Sequence, residues 1–380
     1  MVTLENAYKS LCDKNTKTNC YYYENSDILS FEIGKDQAQS FIKKYFEIGG
    51  KKCLFSVGDL TKLSSRRCEH MCSLFLLGIY VYDNVNKIRE AIDKYTKYLE
   101  DNCTKQDSNA KKNSEPRKRF LYMWYLICLY HDLGYLYEIP DNGEMPQDFE
   151  ELDGLTKQIL SSTKGSYGIP KKIRENALLY YTLHSKNIFF RENRHIDHGI
   201  IGGIKLYSIL KDQHSSDTID EDGKSGLFFG KPIFDYFIVP IAWTIISHNI
   251  WTAFLDGKEA KKYSLFGLDG LICEKGTPLI KLAKHPLLFL LSFLDTIEPI
   301  KIFERCDILS QIKIDAHASS FTLCIENITL PCRYQCMFYK HTNTCSLFYC
   351  YHILYDKLKF LYSPSFNLDL SKSGISFNFR

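Results

Sequence analysis

Hydrophobic and polar positions repeat with a helical period through the middle of this chain and with a period of two near its end. CSLFLLGIYVY, NKIREAIDKYTKYL, KKIRENALLYYTLH, GIIGGIKLYSIL and PLLFLLSFLDTI each place apolar residues three and four apart, which gives each segment a wide apolar face. That spacing predicts a mainly α protein, with a helical bundle across residues 51–309. Residues 1–50 read as a mixed lead-in with one helix expected at Asp36–Tyr45 (DQAQSFIKKY). Beyond Arg305, Phe321, Leu323 and Ile325 alternate with Thr322, Cys324 and Glu326, and Ile375, Phe377 and Phe379 alternate with Ser376 and Asn378. Residues 310–380 are therefore expected as a small β-rich C-terminal extension. Two polar stretches, Asp101–Arg119 and KDQHSSDTIDEDGKSG, read as surface insertions between core helices.

Composition narrows the class. The 380 residues are 45% hydrophobic and 24% charged, enough for one sizeable core and a smaller second unit. A formal net charge of +3 is too small to announce nucleic acid as a partner. The basic run Lys111, Lys112, Arg117, Lys118 and Arg119 has no interleaved aromatics for base stacking and reads as a solvated loop. The 14 cysteines are scattered, several within helical apolar runs, and MVTLENAYKSLCDKN has no apolar secretory core, so reduced thiols and a cytoplasmic setting are expected. The longest apolar runs, Phe120 to Tyr130 and Tyr236 to Ser247, are shorter than the roughly 18 residues of a spanning helix, and no membrane anchor is expected. Cys332, Cys336, His341, Cys345, Cys350 and His352 match no common zinc spacing, and cysteines in strands are ordinarily small buried hydrophobes.

Candidate chemistry begins at His131-Asp132, which closes the apolar run Phe120 to Tyr130. Neighbours on a helix diverge by about 100°, so both can hold one ion only where the helix end points at it. The alternative is a dipeptide with one side chain hydrogen-bonded in the core and the other capping a turn. Four further residues sit in or beside apolar segments: His70 (SSRRCEHMCSLFLLG), His198 (HIDHGIIGG), His248 (IAWTIISHNIW) and Asp295 (LLFLLSFLDTIEP). A buried imidazole or carboxylate costs several kcal/mol, a cost that metal coordination removes. Four His and two Asp form a mixed donor set that suits Mn, Fe or Co, with Zn also fitting, rather than Ca or Mg. Six protein ligands exceed what one catalytic ion takes while keeping open positions, so two divalent ions bridged by Asp132 are the economical reading.

In order and context these residues resemble the HD-domain metal-dependent phosphohydrolase superfamily in its binuclear form. Arg67-Cys-Glu-His70 resembles the family's R-x-x-H, and His131-Asp-Leu-Gly134 its HD-x-G. His198-Gly199 followed by Ile-Ile-Gly-Gly is similar to its H-G-x-x-G-A helix start, His248-Asn249 to its H-N pair, and Asp295-Thr-Ile-Glu-Pro299 to its terminal D-x-I-E-P. Tyr135 stands where many members carry Lys after HD-x-G. The resemblance implies an HD-domain helical bundle with two metals at its centre. It also implies a phosphohydrolase or phosphodiesterase acting on a phosphorylated small molecule, a nucleotide, a dinucleotide or an oligonucleotide.

Two divalent ions activate water and neutralise phosphate oxygens, and positive side chains must hold the oxygens that are not attacked. Lys186, Arg191 and Arg194 precede His198 and are the candidate phosphate clamp, with Arg66 and Arg67 beside His70 as further candidates. Ordinary surface charge at helix ends is the plain alternative for each. His184 and His195 suit proton transfer or support of the ligands, against simple exposure or core hydrogen bonding. Tyr135 is expected either to orient substrate or to pack. Two other classes remain at this level: the mixed-valent di-iron oxygenases built on the same scaffold, and a metal-binding regulatory module that uses its β-rich tail for a partner. Metal identity and oxygen consumption separate the first from hydrolysis.

Overall fold

The structure, a computed structural model, describes residues 1–12, 65–106, 116–137, 198–215, 234–248, 273–274, 277–278, 281–303, 306–325, 366–371 and 374–379. In chain order its principal elements are β1 (Val2–Thr3), α1 (Leu4–Cys12), α2 (Ser65–Asn84), α3 (Asn86–Gln106) and α4 (Pro116–Tyr130), followed by a 3-10 turn at Leu133–Tyr137. Next come α5 (His198–Ser215), a π-helical turn at Phe234–Ile238, α6 (Val239–Ser247), α7 (Pro286–Ile297) and α8 (Pro299–Phe303). After a 3-10 turn at Cys306–Ser310, the chain ends in strands β2 (Ile312–His317), β3 (Ser320–Ile325), β4 (Phe366–Ser371) and β5 (Gly374–Phe379). The described protein is thus mainly helical with a small antiparallel sheet, as the two periodicities predict. No described helix is long and apolar enough to cross a membrane.

The helical pattern maps onto burial. In α3, Ile88, Ile92, Thr96, Leu99 and Cys103 are buried at spacings of three and four, one stripe of an amphipathic helix. Helices α2, α4, α6 and α7 are apolar around most of their circumference and are buried accordingly. Prolines stand in the first turns of α6 and α7 and open α8, where the missing N–H has no intrahelical partner to lose.

The chain forms two compact units that do not follow sequence order. One gathers the described residues of 1–45, 64–94 and 280–380, and the other those of 46–63 and 95–279. In the first unit the sheet runs β1-β2-β3-β5-β4, all antiparallel. Phe321 lies opposite Phe377 and Leu323 opposite Ile375, so the alternating apolar residues share one buried face. Helix α7 covers that face: Phe293 meets Phe377 edge-on at 4.7 Å, and Phe289 meets Phe379 at 6.3 Å. The N-terminus, expected as a lead-in, adds β1 to the edge of this sheet, with Val2 opposite Ile314. The strand-rich tail therefore shares a core with α1, α2, α7 and α8. In the second unit α5 packs against α6, against α4 and against the 3-10 turn that follows His131-Asp132.

Two expectations about insertions are corrected. Asp101–Gln106 is the last part of α3 and Pro116–Arg119 the first turn of α4, so the Asp101–Arg119 stretch is partly helical. Arg119 is buried and ion-paired with Glu100 at 2.7 Å, rather than solvated, the carboxylate offsetting the cost of burying its charge. Likewise, Lys211–Ser215 of the second polar stretch continues α5 as its last residues. The helices expected at Asp36–Tyr45 and within KKIRENALLYYTLH, and the cysteine-rich stretch Cys332–His352, lie outside the described residues.

Candidate metal centre

In the second unit the helix that carries Phe120 to Tyr130 ends at His131 and Asp132, and α5 begins at His198. Gly134 makes this approach feasible, since a Cβ there would lie 1.9 Å from the His198 carbonyl oxygen. Gly199 does the same against α6: its Cβ would lie 2.7 Å from Nδ1 of His248. The glycines of HD-x-G and H-G-x-x-G thus serve close packing that brings three helix ends together.

The result is a buried group. Asp132, His198 and His248 present ligand atoms within 4.8 Å of one another. Asp132 Oδ1 lies 3.3 Å from Nε2 of His131 and 3.4 Å from Nε2 of His198. The His131 and His248 rings meet edge to face at 5.3 Å, as do those of His198 and His248 at 5.4 Å. Tyr135 stacks on His198 with ring centroids 3.7 Å apart and planes 20° from parallel, so Tyr135 packs and fixes the plane of this imidazole.

Hydrogen bonds settle which ring nitrogen is available. Nδ1 of His131 lies 2.7 Å from the Cys128 carbonyl oxygen, and Nδ1 of His248 lies 2.7 Å from that of Ile245. A carbonyl oxygen only accepts, so both Nδ1 atoms carry protons and donate, which leaves Nε2 as the ring nitrogen that can coordinate a metal ion. In His131 that nitrogen faces a carboxylate oxygen, Oδ1 of Asp132. Two acceptors in this position repel unless a cation lies between them, whether a proton or a metal ion. With bonds of about 2.0–2.1 Å, neighbouring donors around an ion sit about 3.0–3.4 Å apart, which matches the spacings around Asp132 Oδ1. Imidazole nitrogens with a carboxylate fit a divalent transition ion in both geometry and donor type.

The first unit holds a different cluster. His70, on α2, donates from Nδ1 to Glu298 Oε2 at 2.8 Å and lies with Nε2 3.0 Å from Asp295 Oδ1. Asp295 and Phe293 are two residues apart on α7, about 200° around the helix, so the Asp turns away from the sheet that receives the Phe. Lys301 approaches the other oxygen, Asp295 Oδ2, at 2.5 Å. Burial pushes the His70 pKa down, but hydrogen bonds to Asp295 and Glu298, reinforced by their charges, outweigh it and raise the value to about 9.

All six proposed ligands are thus buried or nearly so, and each falls in a polar cluster: His70 and Asp295 in one unit, His131, Asp132, His198 and His248 in the other. Arg67 lies in the first turn of α2, half-buried, and Arg66 precedes it. His184, Lys186, Arg191, Arg194 and His195 lie outside the described residues. Sequence reasoning missed Ser73, Glu298 and Lys301 as members of the first cluster. Two signals were there: Ser73 stands one helical turn after His70, and Glu298 and Lys301 follow Asp295 within two turns.

Comparison with known proteins found no match, whether to a family model, a curated protein or a solved structure.

Proposed function

We propose that this protein is an HD-type metal-dependent phosphohydrolase or phosphodiesterase that cleaves a phosphoester of a nucleotide, dinucleotide or oligonucleotide. The observation that carries the reading is Asp132 Oδ1 facing Nε2 of both His131 and His198, the former with its Nδ1 tied to a backbone carbonyl. The motif order from Arg67 to Pro299 supports it from the sequence side and assigns His70, His131, Asp132, His198, His248 and Asp295 to one ligand set for two ions of Mn, Fe or Co, with Zn also fitting. When bound, such ions supply an activated water and positive charge for a phosphate oxygen.

The chain's own residues do the rest in this reading. His131 and His248 tie Nδ1 to backbone carbonyls and so present Nε2 as the coordinating nitrogen, and Tyr135 keeps the His198 ring in plane. Lys186, Arg191 and Arg194, in the segment before His198, supply the charge for the phosphate oxygens that are not attacked, and His184 is the candidate proton carrier. Buried thiols at Cys68, Cys72, Cys103, Cys128 and Cys324 suit a cytoplasmic setting. The test is a screen of Mn- and Fe-reconstituted protein against nucleotides, dinucleotides and oligonucleotides, with phosphate and nucleoside release as the readout. Metal-dependent release supports the reading. Oxygen consumption by an iron-loaded protein without phosphate release replaces it with the oxygenase class.

A further inference from the structure

We infer that Glu298 is a positioning residue: by holding Nδ1–H of His70, it dictates that His70 offers Nε2, and only Nε2, to a metal ion. The inference deepens the two-metal reading above and rests on it.

Glu298 is fully buried, and its carboxylate meets four donors. Oε1 accepts from Ser73 Oγ at 2.5 Å and from the Ile300 backbone N–H at 3.0 Å. Oε2 accepts from His70 Nδ1 at 2.8 Å and from the Lys301 backbone N–H at 2.8 Å. A carboxylate has about four lone-pair directions, so this one is saturated and fixed in orientation. Ser73 spends its single proton on Glu298, so its oxygen accepts from Tyr8 Oη, 3.1 Å away. Donors from α1 and α2 therefore converge on Glu298 at the start of α8, and the His70 imidazole is one of them. Two backbone amides at the opening of α8 anchor Glu298 to a helix rather than to a flexible side chain, which keeps the oxygen in place.

The consequence for His70 follows from valence. A nitrogen that carries a proton toward Glu298 has no lone pair for a metal, so coordination falls to Nε2, the nitrogen 3.0 Å from Asp295 Oδ1. Nε2 and Asp295 Oδ1 stand side by side, so both would be available to hold an ion placed there. Asp295 is itself steadied from its far side, where Lys301 holds Oδ2. His131 and His248 reach the same end by another route, with a helical carbonyl in the place of Glu298.

The experiment uses the full-length chain and two readouts. Mn²⁺ affinity and stoichiometry are measured for wild type and Glu298→Gln by chelator competition and elemental analysis, with circular dichroism to confirm folding. Gln keeps the shape of Glu but cannot accept at both of its terminal atoms. The expected result is a folded variant in which one ion binds about 10- to 100-fold more weakly, the range for removing a hydrogen-bonded partner behind a ligand. Separately, nitrogen-15 NMR of histidine-labelled wild type loaded with Zn²⁺ should show His70 protonated at Nδ1 and coordinated at Nε2. A folded Glu298→Gln that keeps both ions at wild-type affinity overturns the inference alone, as does a His70 coordinated through Nδ1. The second readout decides even where the variant does not fold. Wild type that takes up no metal overturns the two-metal reading and this inference together.

Discussion

The two polar clusters place different partners behind the same kind of side chain. In the His70 cluster both ring nitrogens face carboxylates, those of Asp295 and Glu298, and the imidazole holds its second proton up to a pKa of about 9. In the Asp132 cluster His131 and His248 each turn Nδ1 to a helical carbonyl, and Nε2 of His131 faces Asp132 Oδ1. What differs is the partner behind the ring. A carboxylate stabilises imidazolium, whereas a neutral carbonyl stabilises only the tautomer. The first cluster sets two carboxylates and Lys301 around one imidazole, and the second sets imidazole rings around the carboxylate of Asp132.

The largest way to break this comparison is Asp132→Ala. If Oδ1 of Asp132 serves two ions, the variant should bind metal more than about 100-fold more weakly and lose turnover, while His248→Ala loses chiefly one ion. Elemental analysis that finds equal metal in wild type and Asp132→Ala would remove Asp132 from the centre.

Backbone approach places the second cluster, so Gly134→Ala comes next. The new Cβ would stand 1.9 Å from the backbone oxygen of His198, an atom that cannot swing aside. A destabilisation of at least about 3 kcal/mol is expected, at or beyond the upper end for overpacking, read as a fall in the denaturant midpoint together with metal loss. A variant with wild-type stability would mean that α5 does not need this contact.

The His70 cluster predicts an alkaline weakness in metal-free protein. Its folded pKa of about 9 lies above the unfolded value near 6.5, so its stabilisation is complete below about pH 6.5 and fades as pH rises through about 9. The shift corresponds to roughly 3 kcal/mol. Urea unfolding of chelator-treated protein between pH 6 and 10 should show this slope, and His70→Gln should flatten it. An unchanged slope in the variant would assign the titration elsewhere.

The smallest expected effect has the opposite sign. His285, at the start of α7, is pushed by burial, and secondarily by Lys284, down to about 4. The unfolded chain then takes up a proton near pH 6.5 that the folded chain refuses until about 4, so stability falls as pH drops through that window. His285→Leu should reduce the acid slope of the unfolding free energy. If the slope is unchanged, His285 reaches solvent in solution.

The sequence by itself determined the local part of this protein. The helical stripe Ile88, Ile92, Thr96, Leu99 and Cys103 and the alternation of Phe321, Leu323, Ile375 and Phe377 are each written within one element, because the period of a buried face is a property of the backbone geometry. The candidate ligands were legible for a related reason: ionisable residues within apolar runs are costly, and so they stand out. The tertiary structure alone decided which atoms face which. His70 and Glu298 are 228 residues apart, Ser73 and Glu298 are 225, and no local pattern joins them. The same holds for Val2 on the edge of a C-terminal sheet and for Arg119, which reads as loop charge yet lies buried on Glu100. A ring nitrogen's state depends on the one oxygen within 3 Å of it, and that oxygen is chosen by packing rather than by its neighbours in the chain.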